Sequence, residues 1–269
     1  ENPGDYNELT AQAPWIEGPW MIKQNGRYYL HYAGPGTEYK SYADGIYVSD
    51  SPLGGFKLAK FNPMAYKPEG FINGIGHGCT FTDMHGNYWH IGTMSVSVKH
   101  KFERRLGINP VFFDDDGNMF AAAGWGDYPF VMHEKKTESP LENETGWNLL
   151  SYKKPVEVSS QLFDHPAENA VNEDVRTYWS AQTGKNGEWL AIDLEGFCKV
   201  NAVQVNFAEH GSNLYDRVPG LAHRYLLEYS QNGKKWKVLT DKSENQSDVP
   251  HDFTALPEPV EAKYIRITN

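Results

Sequence analysis

The stretch "PWIEGPWMIKQNGRYYLHYAG", residues 14–34, sets one carboxylate, Glu17, between the apolar pair Trp15-Ile16 and a Gly-Pro-Trp turn. A carboxyl group deprived of hydration holds its proton more tightly, and a proton held near neutral pH can be given to a leaving group. Trp15, Ile16, Pro19 and Trp20 are the side chains able to form such a low-dielectric wall. The competing reading is an acidic turn residue facing solvent. The two cysteines, Cys79 and Cys198, lie far apart and show no zinc spacing, which argues against a disulfide or a thiolate metal centre.

The elements around these residues read as strands. "WMIKQ", "RYYLHYA", "GIYVSD", "NYWHIGTM", "NPVFFDDDG", "WLAIDL", "KVNAVQVNF", "RYLLEYSQ", "KWKVLT" and "AKYIRIT" are short and rich in aromatic and branched residues. Turn pairs join them: Asn25-Gly26, His85-Gly86-Asn87, Asp116-Gly117-Asn118 and Asn232-Gly233. No long segment keeps a helical period, so the expected class is all-β. "NGRYYLHYA", "HGNYWHIGT" and "DDDGNMF" repeat a Gly turn followed by a strand, which suggests small antiparallel sheets arranged as propeller blades. Composition shifts near residue 150, and the cleaner alternation beyond it suits a sandwich. The expected domains are 1–153 and 154–269.

The formal net charge of -10 argues against nucleic acid or an anionic membrane as partner. Aromatics are 14% of the chain, with 8 Trp and 16 Tyr, a supply suited to stacking on the flat faces of sugars as well as to filling a β core. No apolar run reaches the length of a membrane span. "ENPGDYNELTAQ" has no signal-peptide character, and a mature secreted protein would look the same.

The second half, "SSQLFDHPAENAVNEDVRTYWSAQ…GEWLAIDLEGFCKVNAVQVNF…RYLLEYSQNGKKWKVL…EAKYIRI", resembles the discoidin, or coagulation factor 5/8 type C, family, which includes carbohydrate-binding module family 32. The resemblance implies a jelly-roll sandwich. It also implies a structural Ca²⁺ in the loop "AVNEDVRTYW", held by oxygens of Asn172, Asp174 and Thr177, with Glu261 from the last strand. Asn172-Glu173 depart from the family's Asp-Gly-Asp pattern, and a loop closed by hydrogen bonds alone is the alternative. His210, Tyr215, Arg217 and His223 are the loop residues able to stack on or hydrogen-bond to a sugar.

The first half contains four segments in one order: "IEGPWMIKQNGRYYLHYA", "GPGTEYKSYADGIYVSDSPLGGF", "GIGHGCTFTDMHGNYWHIGT" and "RRLGINPVFFDDDG". Together they are similar to the C-terminal blades of glycoside hydrolase family 43, five-bladed propeller enzymes that invert at β-xylosides, α-L-arabinofuranosides and related sugars of plant-type polysaccharides. The resemblance implies that Glu17 is the general acid. It implies a sugar-facing place for Trp15 and His77, with His77 also beside a Ca²⁺ reached through water. Arg104 is implied to face the sugar and the acids, with Arg105 as the runner-up. A buried core histidine and a surface arginine are the plainer readings of these positions.

Inverting hydrolysis needs a second carboxylate about 6.5–9.5 Å across the sugar to activate water. In the family this base and a further tuning Asp come before the acid, but here only 16 residues precede Glu17, and Asp5 is too close to serve. The expectation is a fragment: roughly half a propeller, a poor hydrolase alone, belonging to a secreted or periplasmic enzyme. A non-catalytic carbohydrate-binding protein is the alternative.

Overall fold

A computed structural model describes residues 15–37, 39–68, 70–95, 104–125, 127–208 and 222–269. The chain forms two compact units, Glu1–Gly146 and Trp147–Asn269. Among the described residues regular structure is almost wholly strand, apart from short 3-10 helices at Ala123–Trp125, Pro140–Asn143 and Ala167–Val171.

The first unit contains two four-stranded antiparallel meanders. One consists of β1 (Glu17–Gln24), β2 (Arg27–Gly34), β3 (Ala43–Ser49) and β4 (Lys57–Leu58). The other consists of β5 (Asn73–Thr82), β6 (Tyr88–Ser95), β7 (Arg104–Phe113) and β8 (Met119–Ala121). A single parallel pairing, Ala43 with Ile75, joins them. Asn25 and Gly26, at φ 48° and 83°, form the two-residue turn that matches strand twist. On β2 every second residue turns inward, so Tyr29, His31 and Ala33 are buried on one face. Tyr29 packs with Ile46, Met64, Ile75, Val111 and Met119 in the core between the meanders.

Two of the three repeated Gly turns share one backbone-closing pattern. In "DMHGN", Asp83 Oδ1 accepts the amides of His85 and Asn87, and Asn87 Nδ2 donates to Asp83 Oδ2. In "DDDGN", Asp114 does the same with the amides of Asp116 and Asn118 and with Asn118 Nδ2. Only Gly86 and Gly117 meet the positive φ that each turn requires, 87° and 74°. The hairpins are also stitched together: Tyr29 Oη donates to the Gly117 carbonyl at 2.7 Å, and Tyr88 Oη to Gln24 Oε1 at 2.6 Å.

In the second unit, β9 (Val156–Val158), β10 (Trp189–Asn206), β11 (Leu226–Ser230), β12 (Lys237–Asp241) and β13 (His251–Thr268) form a sheet in the order β12-β11-β13-β10-β9. "WLAIDL" and "KVNAVQVNF", expected as two strands, are one 18-residue strand, β10. A register shift between Asp193 and Cys198 breaks it, where Glu195 adopts φ 64°. The bulge lets the chain bend without ending the ladder. Leu194, Val200, Ala262 and Ile265 form the buried centre of this unit. Arg266 clamps Glu228 Oε2 through Nε and Nη2 at 2.9 and 2.7 Å, and its guanidinium lies 4.1 Å over the Trp236 ring.

Candidate active site

Glu17 opens β1 opposite Ala33, and the pairing then slips before Trp20. The slip follows from Gly18, whose φ of 63° favours glycine. A Cβ at Gly18 would stand 2.9 Å from the His77 ring. The start of β1 therefore lies directly against β5.

Two groups meet the Glu17 carboxylate. Tyr42 Oη donates to Oε1 at 2.9 Å, and His77 Nδ1 lies 3.5 Å from the same oxygen. Burial, reinforced by the bond to Glu17 and the charges of Glu17 and Asp44, pushes the Tyr42 phenol well above the usual tyrosine range, with Arg104 opposing. The phenol is therefore a permanent donor. It fixes Oε1 and leaves Oε2 for a proton or a substrate oxygen. The Arg104 charge acts on Tyr42 in the opposite sense, and Glu17 and His77 meet at a tyrosine that sequence reasoning missed. Arg105, by contrast, turns back onto the Arg104 carbonyl at 3.2 Å.

The apolar wall expected around Glu17 does not form. Trp15 and Ile16 are 70% and 75% exposed, and Trp20 points its Nε1 to the Thr80 carbonyl at 2.9 Å. The Glu17 side chain is 43% exposed. Trp15 and Ile16 precede β1, and Trp20 lies beyond the slip in its pairing, so none of the three is held over the carboxylate. Trp15 is free to present its ring to a flat ligand. His77 is exposed and is not a core histidine, and it sits at φ 50° in a break of the β5–β6 ladder between Gly76 and Cys79.

In the second unit the proposed cation loop follows the 3-10 helix Ala167–Val171. Asn172 Oδ1 accepts the Asp174 amide and Nδ2 donates to Thr177 Oγ1 at 2.8 Å, while Asp174 Oδ1 accepts the Arg176 amide. The loop's own carboxylates are those of Glu173 and Asp174, and a cation would compete with these internal bonds. Glu261 sits on β13 opposite Lys199 of β10. His223 is 7% exposed, receives the Val249 amide at Nδ1 and packs on Phe207, so it is a core residue and not a sugar-facing one. His210, Tyr215 and Arg217 lie outside the described residues. Cys79 and Cys198 are free thiols in different units.

The comparisons with known proteins follow this division. Residues 4–119 match glycosyl hydrolases family 43, and residues 155–269 match the F5/8 type C domain. The chain thus carries a match to each of these two families, in that order. It is similar to Beta-D-galactofuranosidase xynD of Aspergillus niger, at 32% identity over 124 residues, covering 43% of this chain and 34% of that protein. The chain thus spans about a third of the length of this curated relative. Among solved structures it is similar to a glycoside hydrolase, with a TM-score of 0.46 and 21% identity, over 95% of this chain and 57% of the other. It is also similar to the family 32 CBM from C. perfringens NanJ in complex with galactose, with a TM-score of 0.35 and 17% identity, over 43% of this chain and 81% of the other.

Proposed function

We propose that the protein hydrolyses glycosides with inversion, and that Glu17 is the general acid. The observation that carries this reading is the grouping of Glu17 with Tyr42 and His77 at the start of β1. Tyr42 and His77 orient the carboxyl, Arg104 donates charged hydrogen bonds to ring hydroxyls, and the exposed Trp15 ring supplies a stacking face. The substrates are β-xylosides or α-L-arabinofuranosides. The similarity to a galactofuranosidase adds β-galactofuranosides as a third class to be assayed. Inversion needs a water-activating base across the sugar, and none of the residues grouped here supplies one, so we expect slow turnover from residues 1–269.

The F5/8 type C domain is read as a carbohydrate-binding module, with Ca²⁺ at Asp174 in place of the loop's own hydrogen bonds. Loss of thermal stability in a chelator, restored by Ca²⁺ and absent in Asp174→Asn, tests that part. A secreted or periplasmic setting suits polymeric substrates. The decisive assay measures hydrolysis of aryl β-xyloside, aryl α-L-arabinofuranoside and aryl β-galactofuranoside, with Glu17→Gln in parallel and the product anomer read by NMR. Loss of an acid typically costs about 10²–10⁴-fold, most where the leaving group is poor. Unchanged turnover in Glu17→Gln refutes the assignment. Sugar binding without turnover in the full-length protein favours a non-catalytic binding protein.

A further inference from the structure

Behind the exposed site lies a second cluster that neither the family match nor the proposed reaction uses. His31 on β2, Asp44 on β3 and His90 on β6 are each 0% exposed. One potential ligand atom from each lies within 4.8 Å of the others. His90 Nε2 is 2.9 Å from Asp44 Oδ2, and the His31 and His90 rings stack with centroids 5.8 Å apart and an interplanar angle of 11°. Among the described residues neither His31 nitrogen has a hydrogen-bond partner, and Asp44 Oδ1 has none. A buried polar group left unpaired is destabilising, more so when charged, so a sequence that buries all three together needs a reason.

We propose that His31, Asp44 and His90 form a binding site for one first-row divalent transition metal ion, Zn²⁺ being the probe of choice. Two imidazoles and one carboxylate are a borderline donor set that suits Zn²⁺ and its neighbours and does not suit Ca²⁺ or Mg²⁺, which prefer oxygen. Zinc ligands at about 2.1 Å in a tetrahedron stand about 3.4 Å apart, so the His90–Asp44 pair at 2.9 Å has to open a little while the longer separations close around the ion. The outer shell is already built. Asp44 Oδ2 accepts the Gly78 amide at 2.8 Å, and His90 Nδ1 lies 3.3 Å from Thr80 Oγ1. With Nδ1–H donating to that hydroxyl, Nε2 carries the lone pair for the metal. Because the ligands come from both meanders, the ion would staple β2 and β3 to β6. It would also place a positive charge close to the active-site group: Gly78 follows His77, and Asp44 stands two residues from Tyr42.

The test is metal content and coordination. The purified protein is stripped with a chelator, reloaded with Zn²⁺, and its metal measured by mass spectrometry. Zinc absorption spectroscopy of the wild type reads the first shell, and thermal melts read stability. The expected result is one equivalent per chain, a shell containing two imidazoles, and a Tm several degrees above the stripped form. His31→Phe should lose the ion, whereas Glu17→Gln, which removes the exposed carboxylate–imidazole pair, should keep it. Should His31→Phe fail to fold, the wild-type spectrum decides alone. Less than a tenth of an equivalent with Zn²⁺, Co²⁺, Ni²⁺ and Mn²⁺ overturns the proposal. So does a shell with fewer than two imidazoles, or zinc retained in a folded His31→Phe.

Discussion

At the scale of single residues, the site turns on how Glu17 is held. Its neighbours in sequence contribute little to its surroundings, and its neighbours in space are Tyr42 and His77. Tyr42→Phe removes the hydrogen bond to Oε1 and leaves the ring packed against Gly76. A hydrogen bond to a charged group contributes about 1.5–3 kcal/mol. We therefore expect Tyr42→Phe to reduce kcat by roughly tenfold or more, with KM changed much less and Tm little altered. Steady-state kinetics on an aryl glycoside and a melt check this. A large Tm loss with unchanged kcat would mean that Tyr42 serves the fold and not the carboxyl.

At the scale of elements, two features are sharply testable. The slip at the start of β1 depends on Gly18, where a methyl group meets both a positive φ and the His77 ring. The left-handed backbone alone costs a non-glycine residue roughly 1–2 kcal/mol. Gly18→Ala should lower Tm by several degrees and, by displacing His77, lower kcat too. The second feature is the pair of D-x-x-G-N turns. Asp83 also accepts the indole Nε1 of Trp89 at 2.8 Å, and Trp89 is 1% exposed. Among the described residues Asp114 accepts from the Asp116 and Asn118 amides and from Asn118 Nδ2, with no buried indole among them. Asp83→Ala should therefore depress Tm clearly more than Asp114→Ala, because it strands a buried donor as well as opening a turn. Equal melts would show that the indole contact carries no stability.

At the scale of the whole molecule, stability should fall at both ends of the pH range for identifiable reasons. Burial works to raise the Asp83 carboxyl, but the hydrogen bonds from Trp89, Asn87 and His85 win and hold it at about 2. A depressed carboxylate contributes stability above its unfolded pKa, near 3.9, and loses it as pH falls toward 2. Burial, helped by bonds to carboxylates, raises Tyr42 and Tyr225, the latter donating to Asp252 at 2.8 Å. A raised phenol contributes stability that is complete below its unfolded pKa, near 10, and declines as pH rises beyond it. Tm should hold through the middle range, fall below about pH 4 and fall again above about pH 10. Asp83→Asn should flatten the acid limb. Tyr225→Phe and Tyr42→Phe should flatten the alkaline one.

The sequence by itself determined the β class, the hairpin turns and the order of the two families. These are local matters, because alternation, Asn-Gly pairs and D-x-x-G-N turns act within a few residues. It also singled out Glu17, His77 and Arg104, because the segments carrying them keep a recognisable order. It misled where local chemistry was read as environment. The tryptophans beside Glu17 looked like a wall, yet Trp15 lies ahead of β1 and Trp20 beyond the slip, and both stay exposed. It was silent on Tyr42, an ordinary tyrosine in "SYADG" until the ladder brings it to Oε1. His31, Asp44 and His90 are 13 and 46 residues apart in turn, on strands of two separate meanders, and no spacing rule connects them. The one hint was a histidine on the apolar face of β2 between Tyr29 and Ala33. What it meets there is decided by pairing between distant strands, because only the tertiary fold removes water and sets two imidazoles and a carboxylate side by side.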